Sequence, residues 1–216
     1  MTDHGSPGSP EREFWDRRYT ESAYAYGTDP NGFLVEVAGR IPPGPVLCLA
    51  EGEGRNAVWL AERGHAVTAV DASAAGRAKA EALARRRDVR IATIVADLAS
   101  FAIEPGIWSG IVAIFAHLPP ALRRRVHRAA ARGLSPGGFF VLEAFTPRQL
   151  DHGTGGPQKP DLLYSLDDLR EDLAGLELLI GREVERDVVE GRYHTGRASV
   201  VQVLARRAPG EVRSFR

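Results

Sequence analysis

Between Val46 and Ala144 the chain alternates short apolar runs with helical patterns, and few architectures accept that alternation. Strand-like runs cover Val46-Leu47-Cys48-Leu49-Ala50, Ala66 to Val70, Arg90 to Val95, Gly110 to Phe115 and Phe139 to Ala144. Helical patterns lie between them: Asn56 to Arg63 with Gly64 as its stop, Ala74 to Arg87, and Pro119 to Gly133 with Leu122, Val126 and Ala130 on one side. A strand that returns through a helix to another strand builds a parallel sheet with right-handed crossovers and helices on both faces. A run apolar at every position, such as Val46 to Ala50, is what a strand covered on both faces requires.

Past Phe145 the pattern changes. Thr146 to Asp161 is a polar, Gly-rich loop and Leu166 to Leu173 a helix. Leu176 to Val189 and Arg192 to Arg206 are two strand-like runs joined at Glu190-Gly191, which reads as an antiparallel hairpin. The expected fold class is therefore α/β, with a seven-strand, mostly parallel sheet ending in an antiparallel hairpin. Ahead of the sheet come a helix from Glu11 to Tyr19 and a short one from Phe33 to Ala38, ended by Gly39 and Pro42-Pro43-Gly44-Pro45. With 216 residues the chain fits one ordinary domain. We place that domain at 11–206, with a helical lid at 11–40, a disordered tail at 1–10 and a frayed tail at 207–216.

Composition then removes several function classes. Twenty-eight basic residues balance 28 acidic ones, which gives no electrostatic case for nucleic acid or an anionic membrane as partner. Cys48 is the single cysteine, so no internal disulfide or cysteine-based metal cluster is expected, and the histidines show no shared metal spacing. No apolar run reaches the roughly 18 residues of a membrane span. Met1 to Pro7 lacks the pattern of a secretory signal, so a soluble cytoplasmic protein is expected. Lys79 and Lys159 are the only lysines; this Arg, Ala and Gly bias is that of a GC-rich bacterial genome. The runs Arg85-Arg86-Arg87 and Arg123-Arg124-Arg125 read as solvated helix faces.

The chemistry-bearing segment follows the first strand. Glu51-Gly52-Glu53-Gly54-Arg55-Asn56-Ala57 is a turn whose glycines permit tight reversal and close approach of a ligand. It lies at the carboxyl edge of the sheet, where open α/β folds bind ligands, and Asp71 ends the second strand about 20 residues on, where a carboxylate accepts ribose hydroxyls. Together they indicate a nucleoside-containing cofactor. Gly52-x-Gly54-x-x-Ala57 also fits the dinucleotide fingerprint. Three features count against a dinucleotide. Glu51 and Glu53 stand where a pyrophosphate would sit, whereas an ammonium and a sulfonium favour such carboxylates. Asp97, past the third strand, is placed to accept from an exocyclic amine. The terminal hairpin replaces a second mononucleotide-binding half.

On these residues, Val46 to Ala144 resembles the class I S-adenosylmethionine-dependent methyltransferases, whose sheet is Rossmann-like. Glu51-Gly52-Glu53-Gly54 is similar to their acidic-x-Gly-x-Gly turn, and Leu134-Ser135-Pro136-Gly137-Gly138 to the turn before their fifth strand. More narrowly, Phe14-Trp15-Asp16-Arg17-Arg18-Tyr19, Tyr26-Gly27, Pro30-Asn31, Glu53-Gly54-Arg55-Asn56 and Gly155-Gly156-Pro157 resemble small bacterial enzymes of the tellurite-resistance and thiopurine types. One departure is Trp108-Ser109-Gly110, where family members open the fourth strand with an acidic residue.

The resemblance implies S-adenosyl-L-methionine as cofactor and a set of contacts. Gly52 and Gly54 would pass close to its methionine part and Glu51 would orient its ammonium. Asp71 would hold the ribose, Asp97 with the Leu98 amide would read the adenine, and Ala72 and Leu98 would sandwich the ring. Arg55 pairs with the cofactor carboxylate, or only with Glu51 or Glu53. Trp15, Tyr19 and Tyr26 form an aromatic lid over the sulfonium, or simply cover the sheet. Phe115 and His117 follow the fourth strand at the point facing the methyl donor, with His117 the candidate to orient or deprotonate the acceptor. Phe145, Arg148, Gln149, the 151–161 loop and Tyr193 to Thr195 are candidate acceptor-pocket residues. The expected reaction is methyl transfer to a small acceptor, a thiol or chalcogen oxyanion. The competing readings are an NAD(P)-dependent oxidoreductase and a non-catalytic nucleoside-cofactor-binding protein on the same fold.

Overall fold

The computed structural model describes residues 10–210. Its sheet has seven strands: β1 (Pro45–Leu49), β2 (Ala66–Asp71), β3 (Ala92–Val95), β4 (Trp108–Ile114), β5 (Leu134–Phe145), β6 (Glu177–Glu190) and β7 (His194–Arg206). Their spatial order is β3-β2-β1-β4-β5-β7-β6. The first five are parallel; β7 runs antiparallel to both β5 and β6. Six helices accompany them: α1 (Pro10–Tyr19), α2 (Gly32–Val37), α3 (Arg55–Ala61), α4 (Ala74–Arg86), α5 (Pro120–Gly133) and α6 (Leu166–Asp172).

The period-2 alternation of the strands sorts the core into two layers. Leu47, Leu49, Ile111, Phe140 and Leu142 point to one face, where α5 (Val126, Ala130) and α6 (Leu169) cover them. Val46, Cys48, Val67, Val112 and Val141 point to the other, under α2 (Phe33, Leu34, Val37) and α3 (Ala57, Leu60). α4 lies beside α3, with Leu83 and Ala84 packed on Val58. Each fully buried side chain of this kind stabilises the fold by about 1.5–3 kcal/mol.

The helices start where their caps require. Asn31 caps α2 through Leu34 N, Ser73 caps α4 through Gly76 N, and Ser165 forms a reciprocal capping box with Asp168 at α6. α3 has no such cap. Gly54 precedes it at φ +89°, and its first amides are met by a residue of the turn before it.

Three expectations change. The Ser135–Gly138 segment is not a turn ahead of the fifth strand: β5 already pairs at Trp108↔Leu134, and the segment is taken up as an irregularity before Gly110↔Phe139. Arg123 is not on a solvated face; it is buried, ion-paired with Asp172 at 2.7 Å and Asp168 at 2.9 Å, and so joins α5 to α6. Two residues within the expected tails 1–10 and 207–216 take part in the fold. Pro10 opens α1, and Arg207 exchanges backbone hydrogen bonds with Gly137 and Gly138. Residues 1–9 and 211–216 lie outside the described residues.

The strand order reverses between β1 and β4, because the chain winds outward to β3 and then crosses back. The crevice beyond the carboxyl ends of those two strands is where such a sheet takes a ligand.

Candidate functional site

The turn after β1 occupies that crevice. Ala50 (φ +49°), Gly52 (φ +61°) and Gly54 (φ +89°) all adopt left-handed conformations. The glycines are required by the protein's own packing. A Cβ on Gly54 would stand 2.6 Å from Ala80 Cβ of α4, and one on Gly52 would stand 2.6 Å from the Tyr19 hydroxyl.

The carboxylates of the turn diverge. Glu51 folds forward and accepts from Asn56 N (2.9 Å) and Ala57 N (2.8 Å), supplying the cap α3 lacks. Burial pushes its carboxyl up to about 7, against the opposing pull of the Ala57 amide, Arg55 and the Asn56 amide. Glu53 turns the other way. It is buried, pairs with Lys79 at 2.7 Å and accepts from Ala25 N at 2.7 Å. Glu53 therefore fastens the 23–25 segment over the turn and does not face a ligand beside Glu51.

Asp71, at the end of β2, accepts from Gly52 N and Ser73 N, both at 2.8 Å, through different oxygens. Each oxygen keeps a further lone pair for a ribose hydroxyl. Burial raises its pKa despite those bonds. Asp97 is exposed and its Oδ1 closes a turn onto Ala99 N at 2.7 Å. Leu98 is buried and belongs to the core cluster that includes Leu49 and Val70.

Arg55 is not paired with Glu51 or Glu53. Its Nη2 donates to Glu190 at 2.5 Å, while Nη1 is buried without a partner. Glu190 belongs to a buried network in which Arg186 bridges it to Glu143, and Asn31 Nδ2 donates to Glu143 (2.8 Å) and Glu190 (2.9 Å). Two arginines balance two carboxylates, which is the condition for burying such charges.

α1 roofs the turn. Asp16 accepts from Ser73 Oγ at 2.6 Å and so holds α1 at the start of α4. Tyr19 is buried and stacks on Trp15 (5.5 Å), which leans on Tyr26 (6.4 Å); Arg18 lies 3.7 Å over Tyr193. From Tyr26 the aromatic ladder continues to His194 (4.5 Å), Phe115 and Phe145.

Phe115 holds φ +53°, a strained value for a bulky residue and one that clusters at ligand sites. The next turn is clamped by Tyr164, whose hydroxyl donates to Ala116 O (2.6 Å) and accepts from Leu118 N (2.5 Å). His117 Nδ1 donates to Leu162 O at 2.7 Å, and burial lowers the ring's pKa to about 4.

Residues 46–138 match the methyltransferase domain family. That stretch is similar to a methyltransferase domain and runs from β1 into β5. A curated relative, the 2-heptyl-1-hydroxyquinolin-4(1H)-one methyltransferase of Mycobacteroides abscessus, is 29% identical over 117 residues, 53% of this chain and 52% of that one. The chain thus aligns with about half of that relative's length. Among solved structures, one from work on conversion of a disulfide bond into a thioacetal group during echinomycin biosynthesis superposes with a TM-score of 0.75 at 21% identity, covering 94% of each chain. TehB from Haemophilus influenzae gives 0.67 at 20% identity, covering 91% of this chain and 67% of that one. Geranyl diphosphate C-methyltransferase from Streptomyces coelicolor, solved with S-adenosyl-L-homocysteine, gives 0.65 at 15% identity, covering 94% and 100%. The cofactor of such a domain is S-adenosyl-L-methionine.

The residues around the turn after β1 fit that group. Glu51 and Asp71 form no salt bridge among the described residues, because the nearby bases are committed elsewhere, Arg55 to Glu190 and Lys79 to Glu53. Two withdrawn carboxylates without a salt bridge suit a ligand carrying an ammonium and a sulfonium, and the orphaned Arg55 Nη1 suits a carboxylate.

Of the candidate pocket residues, Phe145 and His194 join the aromatic ladder. Arg148 turns outward to Glu185 (2.7 Å). Gln149 is consumed in holding the 147–156 loop, accepting from Ser199 N and donating to Thr154 and Gly155. Sequence reasoning missed Glu190, Glu143 and Tyr164, whose partners are remote in the chain. Glu190 carried a faint signal as an acidic residue at the hairpin tip beside Gly191.

Proposed function

We propose that this protein transfers the methyl group of S-adenosyl-L-methionine to a small-molecule acceptor. The observation that carries the reading is the carboxylates Glu51 and Asp71, in no salt bridge among the described residues, set at the Gly52–Gly54 turn and roofed by Tyr19, Trp15 and Tyr26. The bound cofactor supplies a methyl group on a sulfonium, so no covalent protein intermediate is needed. Glu51 and Arg55 orient the amino-acid end, Asp71 the ribose, and Asp97 the adenine edge. The aromatic roof excludes water and stabilises positive charge, with an attraction of order 1 kcal/mol per ring. Phe115 and His117 stand at the acceptor side.

A thiol or chalcogen oxyanion was the acceptor expected from sequence. The aromatic ladder around Phe115 favours a planar apolar acceptor over a bare oxyanion, which agrees with the hydroxyquinolone named for the curated relative. No helix among the described residues is long and apolar enough to cross a membrane.

Calorimetric titration with S-adenosyl-L-homocysteine, with NADH alongside, tests the reading. Micromolar binding is expected for the wild type. Asp71→Asn, which keeps one acceptor oxygen for two backbone amides and the ribose, should weaken it at least tenfold, or about 1.4 kcal/mol. Preference for NADH would return the turn to a dinucleotide.

A further inference from the structure

His117 and His194 each hold a buried ring nitrogen without a partner, and both flank the same pair of rings. His117 lies parallel to Phe145, at 5.6 Å and 9°, and 6.2 Å from Phe115. His194, from β7, lies 4.6 Å from Phe115 and 5.1 Å from Phe145, nearly edge-on to both. Phe115 and Phe145 touch at 4.6 Å, and Tyr26 closes the outer side against His194 at 4.5 Å. His117 Nε2 and His194 Nδ1 are both buried and unpartnered. Buried polar atoms in native structures have partners, so two orphans on one apolar box point to a ligand.

The tautomer of His117 is fixed by its neighbour. Leu162 O only accepts, so Nδ1 carries the proton and Nε2 of the neutral ring offers a lone pair. The same lone pair repels an anion.

We propose that His194 is a second acceptor-binding residue, facing His117 across Phe115 and Phe145, and that the pair selects an uncharged planar aromatic carrying an O–H or S–H over a preformed oxyanion. The proposal rests on the methyl-transfer reading for its reaction. In that reaction the acceptor's O–H donates to His117 Nε2. As the oxygen bonds to the methyl carbon, the carbon–sulfur bond breaks and its electron pair stays on sulfur. The acceptor proton passes to His117 Nε2, so one positive charge moves from the sulfonium to the imidazolium, whose Nδ1–H remains on Leu162 O. His194 Nδ1 holds the second edge of the acceptor's polar group. Burial keeps both rings neutral, with His194 down to about 3. The charged groups acting on His194 are Glu190, Arg55 and Arg18, and His117 acts on it as well.

Binding of 2-naphthol, naphthalene and tellurite to the full chain saturated with S-adenosyl-L-homocysteine tests this directly. The wild type should bind 2-naphthol at least tenfold more tightly than naphthalene, and tellurite not measurably. The naphthol preference should fall as pH rises through the naphthol's own ionisation. His194→Phe and His117→Phe keep the ring shape; each should reduce the naphthol-to-naphthalene ratio towards one while binding of S-adenosyl-L-homocysteine and of naphthalene persists. A ratio unchanged in His194→Phe, or tellurite bound in preference to naphthol, overturns the proposal while leaving methyl transfer intact. Failure of the wild type to bind S-adenosyl-L-homocysteine at all overturns both.

Discussion

Arg55, the first residue of α3, and Glu190, the last of β6, meet at 2.5 Å with 8% exposure on each side chain. They are 135 positions apart in the chain, and their contact ties the ligand-binding turn to the tip of the terminal hairpin. Arg186, Glu143 and Asn31 complete the tie, so the start of α2, the middle of the sheet and the hairpin share one network.

Removing one partner leaves the other charge buried and alone. Glu190→Gln should cost about 3–5 kcal/mol, whereas Arg55→Met combined with Glu190→Leu should cost less than the sum of the single changes. Thermal unfolding of the three variants measures this; a strictly additive double mutant would show that the pair acts through something other than its mutual charge.

Acid should weaken the fold in two stages. His117 and His194 are held neutral at about 4 and about 3, below the ordinary value of 6.5, because burial penalises their charged forms. Unfolded histidines bind protons that the folded ones refuse, so stability is complete above 6.5 and declines as pH falls towards 4. Glu190 is held below its ordinary 4.5 by Arg55 and Arg186, which overcome its burial. Its contribution is complete above that value and is lost as pH falls through its folded pKa. Denaturant titrations across pH 3–8 of wild type and a His117→Phe, His194→Phe double variant should differ in slope between pH 6.5 and 4 and run parallel above.

Gly54→Ala should destabilise the domain by more than the typical 1–3 kcal/mol of an overpacked core site. Its Cβ would approach Ala80 Cα at 2.7 Å, and the backbone is left-handed there. Gly191→Ala meets backbone on three sides, Ala25 O at 2.4 Å the nearest, and should spring the hairpin tip from the roof. Chemical denaturation ranks the two; tolerance of alanine at residue 54 would mean that α4 can slide away from the turn.

Glu53→Ala removes the fastening of the roof without touching the cofactor carboxylates. Hydrogen exchange at Ala25, whose amide rests on Glu53, should accelerate by at least tenfold while the amides of β1 and β4 keep their protection. Equal acceleration throughout would assign Glu53 to global stability instead.

The sheet was legible because its signals are local. Period-2 runs, helix caps and the Gly52–Gly54 turn act over a few residues, and Asp71 follows from strand geometry alone. Both faces of the core follow from that alternation, whereas the strand order is a finding of the structure. The Ser135–Gly138 segment was misread as a turn because Pro and Gly signal the same thing in a loop and in a strand irregularity.

What the chain by itself determined is the frame: the alternation of strand and helix, the acidic glycine turn at the sheet's carboxyl edge, and the carboxylate ending the second strand. What tertiary structure alone decided is how the charges are spent. Glu53 faces Lys79 and Ala25 instead of a ligand, Arg55 reaches Glu190, and Arg123 is buried against Asp172. It also brought His194 to Phe115 and Phe145, opposite His117. The physical reason is range. Backbone periodicity is written within a dozen residues, whereas the partner of a buried charge or imidazole is set by which distant segments the packed core brings within hydrogen-bond reach.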